Sequence, residues 1–139
     1  MSAIIHHNPA CATSRNVLAI LRAAGADPEV IEYLDTGWTR PHLLTLFAGA
    51  GITARAALRT AGTPAQDLGL TDPAIDDATL IAAMIAHPIL VNRPFVVTTR
   101  GVALCRPSAR VLDLLDHRPA GPFTLEDGTP LLDATGSRV

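Results

Sequence analysis

The stretch IHHNPACATSRN, residues 5–16, joins the end of an apolar run, a proline turn and a cysteine that precedes a helical pattern. Residues 3–6 are apolar and β-branched enough for a short buried strand, which Asn8-Pro9 then ends. This order of strand, loop and helix places Cys11 at the N-terminus of the helix. The unpaired N–H groups and roughly half a positive charge at such an end favour a thiolate over a thiol and attract anions. We therefore predict that Cys11 is a thiolate nucleophile around which the chain is organised.

Outward from this stretch, the pattern predicts a helix and then a second strand. The helix is expected to start at Ser14, with Thr13 or Ser14 as its cap, and to end at Gly25. Its apolar positions recur at helical spacing and are Val17, Ile20, Leu21 and Ala24. Residues 29–34 are predicted to form the second strand, and so short a strand–helix–strand unit implies a right-handed parallel crossover.

The middle of the chain is helical in character. Helical patterns cover residues 41–50, 53–58 and 76–86, and glycine and proline turn signals lie between them. These signals are typical of tight turns between packed elements and not of a flexible linker. We predict an α-helical insertion, about residues 40–87, that packs on the same core.

The C-terminal part returns to strands. The patterns of residues 95–98 and 102–105 flank Arg100-Gly101, which is a hairpin signal. Pro107-Ser108 is then expected to open a helix. From residue 118 onward, prolines and glycines predict mostly loop with a short terminal turn.

The order βαβ, helices, ββα predicts an α/β fold with a thioredoxin/glutaredoxin-like mixed sheet and an α-helical insertion. At 139 residues the chain is the size of one domain, so we expect a single domain over residues 1–139. No internal repeat interrupts this order.

The composition excludes several classes of function. The chain is 48% hydrophobic and 17% charged, but its apolar runs are far shorter than the roughly 18 residues of a membrane span. The first five residues lack the basic region and the apolar length of a signal peptide, so we expect a cytoplasmic protein with reduced thiols. A net charge of −2 gives no broad basic field for nucleic acid. We expect a monomer that binds neither membrane nor nucleic acid.

The position of Cys11 in the sequence allows two interpretations, a packed core residue or a reactive thiolate. Free cysteine is among the most buried residue types and often only packs in the core. Its place before a helix favours a reactive thiolate, which His7 could stabilise as a neighbour and Ser14 could stabilise with its hydroxyl. Dithiol oxidoreductases carry a second cysteine at the position of Ser14. A protein with one thiol there needs an external thiol, such as glutathione or a small redox protein, to complete a redox cycle.

A second group of candidate residues lies around the predicted hairpin. Arg93-Pro94 precedes it and Arg106-Pro107 follows it, and Arg59 lies on the helical insertion. A single arginine is usually solvated, but two Arg-Pro pairs that bracket one hairpin suggest a shared role. All eleven basic residues are arginine, which base composition can explain. Guanidinium groups also bind tetrahedral oxyanions through two parallel hydrogen bonds.

Other uses of the cysteines are less consistent with the sequence. Cys105 is expected to face the core at a strand end and not to act as a resolving thiol. His6, His7 and Cys11 lie within six residues, which matches no usual zinc spacing, so we expect no metal and no tightly bound cofactor. A phosphatase loop needs an arginine six residues after its cysteine, and that position is Val17.

Several motifs fall in order along nearly the whole chain and resemble those of the glutaredoxin-coupled arsenate reductases. They are His7–Asn16, Leu58-Arg59, Leu68-Gly69-Leu70, His87–Pro94 and Leu104–Ser108. The resemblance implies a thioredoxin-like fold with a helical insertion and suggests a cis proline at Arg93-Pro94. It implies that Cys11 attacks arsenate, that Arg59, Arg93 and Arg106 hold the oxyanion, and that His7 and Ser14 lower the pKa of the cysteine. Glutathione, as co-substrate, and glutaredoxin would then resolve the arsenylated cysteine and release arsenite.

The chain departs from this family at a few positions, and two other functions stay open. Ala12 stands where the family commonly has glycine, which matters only if the backbone there needs a positive φ. His6 stands at a commonly aromatic position, and Thr60 stands where a basic residue often follows Arg59. A redox-sensing regulator that binds RNA polymerase would use a Cys-x-x-Cys switch, which Ser14 disfavours. A general monothiol or glutathione-linked reductase of this fold would have no use for three arginines around the sulfur.

Overall fold

The structure, a computed structural model, describes all residues from Met1 to Val139. The chain divides into two compact units. The sheet unit comprises residues 1–32 and 93–139, and the helical unit comprises residues 33–92. The expectation of a single domain over residues 1–139 stays a prediction.

The sheet unit is built on a mixed four-stranded sheet with the order β2-β1-β3-β4. Its strands are β1 (Ala3–His7), β2 (Glu29–Glu32), β3 (Phe95–Thr98) and β4 (Gly101–Leu104). The central strand β1 runs parallel to β2 and antiparallel to β3, and β3 runs antiparallel to β4. The predicted parallel crossover and the predicted hairpin are both confirmed, and with them the thioredoxin-like mixed sheet.

Helix α1 (Ala12–Ala23) connects β1 to β2 and buries one face on the sheet. The side chains of Val17, Ile20 and Leu21 are fully buried together with Ile5 of β1 and Val96 of β3. Fully burying an aliphatic side chain of this size contributes about 1.5–3 kcal/mol. This packing fixes the end of β1 and the start of α1, which are the two elements that flank Cys11.

The start of α1 differs from the sequence-based prediction. The helix begins at Ala12 with Cys11 as its N-cap residue, and no side chain caps it. Thr13 and Ser14 therefore lie inside the first turn, because the hydroxyl of Ser14 has other partners and the helical backbone continues back to the cysteine. The predicted end is confirmed, since Gly25 follows the C-cap with φ of 82°.

The predicted helix after Pro107 is confirmed: residues Ser108–Leu114 form a 3-10 helix, in which Val111 and Leu114, three residues apart, are both buried. Two further predictions for the sheet unit and its flank were wrong in detail. The second strand ends at Glu32, and Tyr33–Thr36 forms a short helix, α2. The tail, expected to be mostly loop, contains a hairpin of β5 (Phe123–Thr124) and β6 (Pro130–Leu132). Burial of Leu131 and Leu132 in the core outweighs the turn-rich composition of this segment.

The helical unit contains the three helices that the pattern predicts. They are α3 (Arg40–Ala50), α4 (Ala54–Ala57) and α5 (Asp77–Ala86), each within about two residues of the expected bounds. Thr39, Thr53 and Asp76 cap their N-termini by accepting backbone hydrogen bonds. A 3-10 turn, Pro88–Leu90, ends the unit. No helix of the chain is both long enough and apolar enough to cross a bilayer.

Candidate active site

Cys11 lies where the loop after β1 becomes the first turn of α1. Its side chain is 7% exposed, and its backbone is extended, with φ of −100° and ψ of 121°. The N–H of Cys11 donates to the carbonyl of Asn8 at 3.0 Å, and the side-chain Oδ1 of Asn8 accepts from the N–H of Ala10 at 3.0 Å. The N–H of Arg15 donates to the carbonyl of Cys11 at 3.0 Å. These bonds fix the sulfur over the open end of the helix.

Several groups decide the ionisation of this thiol. Burial alone raises the pKa of Cys11, because it withdraws a charge from water. A hydrogen bond from the backbone N–H of Ser14, the charge and hydrogen bond of Arg93 and a hydrogen bond from Arg106 act in the opposite sense. These donors outweigh the burial, so the pKa of Cys11 lies below its ordinary value. The site therefore favours the nucleophilic thiolate.

The two arginines reach the sulfur because of the register of the hairpin. Phe95 pairs with Leu104 across β3 and β4, so Arg93 and Arg106, just outside the pair, lie at the same end of the hairpin. That end lies beside the end of β1, where His6 pairs with Phe95. Nη1 of Arg106 donates to Sγ of Cys11 at 3.9 Å and to the carbonyl of Arg93 at 3.2 Å. One nucleophile and two guanidinium groups, far apart in sequence, thus form one site.

Both Arg-Pro pairs have cis peptide bonds. The bond that the resemblance suggests, Arg93-Pro94, is cis, and Arg106-Pro107 is a second one that the sequence did not indicate. The N–H of Cys105 donates to the carbonyl of Pro94 at 2.9 Å, which ties the two ends of the hairpin together beside the arginines.

The structure gives Ser14 and His7 a different arrangement from the expected one. The Ser14 hydroxyl lies 2.6 Å from Nδ1 of His7 and accepts from the N–H of Asn8 at 3.1 Å, so it supports the loop. Ser14 acts on the thiolate through its backbone N–H, and the expectation that its hydroxyl reaches the sulfur was wrong in that respect. Burial lowers the pKa of His7, which favours the neutral imidazole at neutral pH. His7 therefore orders the loop through Ser14 and brings no fixed positive charge.

Arg59 belongs to the helical unit, immediately after α4. Its N–H donates to the carbonyl of Leu90 at 2.8 Å, and its Nε donates to the carbonyl of Ala61 at 3.0 Å. These bonds hold its backbone and part of its side chain within that unit. Its role in binding an oxyanion at Cys11 stays a prediction.

Sequence reasoning missed a contact between the tail and the catalytic helix. Arg15 forms a bidentate pair with Glu126, at 2.7 Å from Nη2 and 3.0 Å from Nε, and its Nη1 donates to the carbonyl of Pro9 at 2.8 Å. The N–H of Glu126 donates to Oδ1 of Asn16 at 2.9 Å. The Asp127-Gly128 turn between two apolar pairs was the available hairpin signal for this segment. Nothing in the local sequence indicates that the hairpin returns to α1.

Three further features that the sequence singles out are Cys105, Ala12 and a possible metal site. Cys105 is fully buried in the core, as expected, and burial raises its pKa to about 12. Ala12 is helical, and no residue other than glycine has a positive φ, so alanine brings no strain there. No group of three or more histidine, cysteine or acidic side chains is arranged to hold a metal ion.

Comparisons with known proteins agree with this geometry. Residues 6–114 match the model of the ArsC family. An arsenate reductase of Synechocystis is 57% identical over 136 residues, which cover 98% of this chain and 97% of the relative. Arsenate reductases of Rhizobium meliloti and Escherichia coli are 52% and 47% identical and are matched over 99% and 96% of their lengths, which corresponds to 100% and 97% of this chain. The structure of an arsenate reductase from Vibrio cholerae superposes with a TM-score of 0.78 at 39% identity, covering 83% of this chain and 98% of that one.

Proposed function

The chain belongs to the ArsC family, and from that membership we propose that it is an arsenate reductase whose Cys11 thiolate attacks the arsenic atom. The observation that carries the proposal is the position of Nη1 of Arg106, 3.9 Å from Sγ of Cys11 at the start of a helix. A guanidinium in this position stabilises the thiolate and can also bind the oxygens of an oxyanion substrate through two parallel hydrogen bonds.

The electrostatics of the first step explain why cations surround the sulfur. Arsenate at neutral pH is an anion, so it is repelled by an anionic nucleophile. The guanidinium groups of Arg93 and Arg106 and the N–H groups at the start of α1 are held in place before the substrate arrives, so they can stabilise the transition state without reorganising. We propose that Arg93, Arg106 and Arg59 bind the arsenate oxygens.

The covalent steps balance in atoms and electrons. The Cys11 sulfur forms a bond to arsenic, and one arsenate oxygen leaves as water after it is protonated. The thiolate of glutathione then attacks the sulfur of the arsenylated cysteine. The sulfur–sulfur bond forms as the sulfur–arsenic bond breaks, and its electron pair reduces arsenic from the +5 to the +3 state and releases arsenite. Glutaredoxin reduces the Cys11–glutathione disulfide and restores the thiolate.

The choice of an external thiol rests on what surrounds Cys11. The position three residues later is Ser14, and the second cysteine, Cys105, is buried with a pKa raised to about 12. Neither residue can act as a resolving thiol, so the second thiol has to come from another molecule. Glutathione and glutaredoxin are the reductants that we propose, and they place the reaction in a reducing compartment such as the cytoplasm.

The test is a coupled assay with purified protein, glutathione, glutaredoxin, its reductase system and arsenate. We expect arsenate-dependent consumption of NADPH, no turnover with Cys11→Ser, and near-normal turnover with Cys105→Ala as the matched control. Absence of arsenate-dependent consumption with the wild-type protein would refute the proposal. Reduction of a small model disulfide without any activity on arsenate would instead favour a general monothiol reductase.

A further inference from the structure

The sheet unit contains a second group of cationic residues, apart from Arg93 and Arg106. It surrounds an open pocket of about 250 Å³ on the 3-10 helix Ser108–Leu114, which we name the carboxylate pocket. Arg110, Arg118, Arg138 and Asp113 line it together with the apolar residues Pro107 and Leu112. The C-terminal tail supplies Arg118 and Arg138, so the pocket exists only because the tail folds back on this helix.

The charged side chains of this pocket form no ion pair within the protein. The side-chain ion pairs of the chain are Arg15–Glu126 and Arg100–Asp116, and neither involves a residue of the pocket. Three arginines and one aspartate line the pocket, so it carries an excess of positive charge. A ligand with more than one anionic group would neutralise this excess. The single carboxylate among them, Asp113, gives the pocket a site of the opposite sign.

We propose that the carboxylate pocket binds the end groups of glutathione and so delivers the thiol co-substrate to the arsenylated Cys11, an inference that rests on the proposed function. Glutathione carries two carboxylates and one ammonium group, with its thiol between them. Guanidinium forks bind carboxylates through two parallel hydrogen bonds. Three guanidinium groups and one carboxylate therefore match the charges of this tripeptide in both sign and kind.

The position and the size of the pocket fit this role. Strands β1 and β4 both run antiparallel to β3, so the segments that follow them lie at the same end of the sheet. Cys11 is in the first of these segments, and Arg106 and Pro107 are in the second. Pro107 lines the pocket, and Nη1 of its neighbour Arg106 lies 3.9 Å from the Cys11 sulfur. Pockets that enclose whole small molecules have volumes of about 300–1,000 Å³, so a pocket of about 250 Å³ holds end groups and leaves the rest of the ligand outside. The thiol of a glutathione bound in this way remains free to move. The pocket contributes binding alone, and all bond changes occur at Cys11.

Binding is tested without any chemistry by S-methylglutathione, which keeps the two carboxylates and the ammonium group but has no thiol. In ¹⁵N-labelled wild-type protein we expect it to shift the backbone amides of the 3-10 helix and of the residues around Arg118 and Arg138. The triple variant Arg110→Gln/Arg118→Gln/Arg138→Gln should lose affinity by at least about tenfold, because charge-assisted hydrogen bonds disappear. All three residues are exposed, so the variant should fold, and circular dichroism checks this.

A second variant tests whether the carboxylate of Asp113 binds the ammonium group of the ligand. Asp113→Asn should weaken binding of S-methylglutathione, although it makes the pocket more positive. It should not weaken binding of the N-acetylated form, which lacks the ammonium group. Tighter binding of both forms to Asp113→Asn would overturn the proposal. So would equal binding of inorganic phosphate and S-methylglutathione to the wild-type pocket, because that result describes a general anion site.

Kinetics connects the pocket to turnover. The triple variant should raise KM for glutathione by about tenfold or more, leave KM for arsenate unchanged, and have no effect when 2-mercaptoethanol, which lacks carboxylates, replaces glutathione. Arg40→Gln, which removes an exposed arginine of the helical unit, is the matched control. An increase of KM for glutaredoxin alone would assign the surface to that protein and overturn the proposal.

Two results distinguish the pocket from the proposed function. If the wild-type protein reduces no arsenate but binds S-methylglutathione at these amides, the proposed function fails and the pocket stands. If the wild-type protein reduces arsenate and the triple variant has an unchanged KM for glutathione, the pocket fails and the proposed function stands.

Discussion

Cys11 and Cys105 both follow a strand of the same sheet, and both side chains are buried, at 7% and 0% exposure. Their pKa values nevertheless move in opposite directions. Burial acts on both thiols in the same sense, and it raises the pKa of Cys105 to about 12. At Cys11 the same effect is outweighed by a backbone N–H of α1 and by two arginines aimed at the sulfur. Burial therefore does not separate a structural cysteine from a reactive one. What separates them is the set of donors aimed at the sulfur.

The largest effect on this contrast is expected from removing the guanidinium of Arg106, whose Nη1 lies 3.9 Å from the Cys11 sulfur. Arg106→Ala should lower kcat/KM for arsenate by about 10²–10³-fold, which corresponds to the roughly 2.7–4 kcal/mol lost with one donor in comparable oxyanion sites. It should also raise the pKa of Cys11, measured as the pH dependence of its alkylation by iodoacetamide. Arg106→Lys keeps the charge but loses the guanidinium fork. Its kcat/KM for arsenate should therefore lie between the values of the wild type and of Arg106→Ala.

The control for this prediction is Arg40→Ala, which removes one exposed guanidinium from the helical unit. It should leave both the kinetics and the alkylation profile unchanged. An Arg106→Ala protein with wild-type kcat/KM would show that the short distance to the sulfur has no catalytic meaning.

The next change distinguishes the hydroxyl of Ser14 from its backbone N–H. Ser14→Ala removes the acceptor of the Asn8 N–H and the partner of His7 Nδ1, both buried, so unfolding should become easier by about 1–3 kcal/mol. The N–H that stabilises the thiolate remains, so the alkylation midpoint of Cys11 should move little. Urea unfolding and the alkylation profile measure the two effects separately.

A large upward shift of the midpoint with little loss of stability would show that the hydroxyl acts on the sulfur directly. The matched control is Ser108→Ala, which removes another buried serine of the sheet unit. It should leave the alkylation profile of Cys11 unchanged.

Much of this site could be predicted from the sequence, for identifiable reasons. The apolar spacing of Val17, Ile20 and Leu21 predicts a helix that starts near Cys11, and the Arg100-Gly101 turn predicts a hairpin whose ends carry Arg93 and Arg106. An antiparallel hairpin brings its two ends together, so the two arginines had to meet. The parallel pairing of β1 with β2 follows from the short crossover in the same way.

The rest of the site depends on interactions that leave no local signal. A backbone N–H has no side-chain identity, so the sequence could not show that Ser14 acts through its amide and not through its hydroxyl. The hairpin β5–β6 forms because Leu131 and Leu132 reach a core that includes Ile5 and Val17, more than a hundred positions away. The ion pair between Arg15 and Glu126 depends on that hairpin, so the sequence could not predict it either.

The opposite pKa shifts of the two cysteines predict opposite dependences of stability on pH. Cys11 has a lowered pKa in the folded protein, so its contribution is present above the unfolded pKa of about 8.5 and is lost as pH falls through the folded value. Cys105 has a raised pKa, about 12, so its contribution is present below about 8.5 and is lost as pH rises towards the folded value. Each effect is at most about 1.4 kcal/mol per pH unit.

The measurement is the free energy of unfolding in urea between pH 7 and pH 10.5. Cys105→Ala should flatten the loss of stability above about pH 8.5 relative to the wild type. Cys11→Ser should remove the gain in stability that the wild type shows as pH rises towards about 8.5, and it should leave the loss above that pH unchanged. Identical profiles for the two variants would contradict the assignment of opposite shifts.

The smallest effect concerns the pair that holds the tail against the catalytic helix. Glu126→Gln removes the carboxylate that neutralises Arg15, whose guanidinium also holds the carbonyl of Pro9 beside Cys11. Without the carboxylate, the charge of Arg15 acts on the sulfur uncompensated, so the alkylation midpoint of Cys11 should move slightly downward. Both partners are exposed, so salt should screen the effect. The shift should be visible at about 10 mM ionic strength, where the Debye length is about 30 Å, and absent at about 0.5 M, where it is only a few ångströms.

Asp116→Asn, which unpairs Arg100 in the other exposed ion pair, is the matched control and should move the midpoint at neither salt concentration. A shift that persists at high salt would mean that Glu126 acts by shaping the loop through Arg15 and Pro9, and the contrast between the two cysteines would then depend on the tail as well as on the arginines.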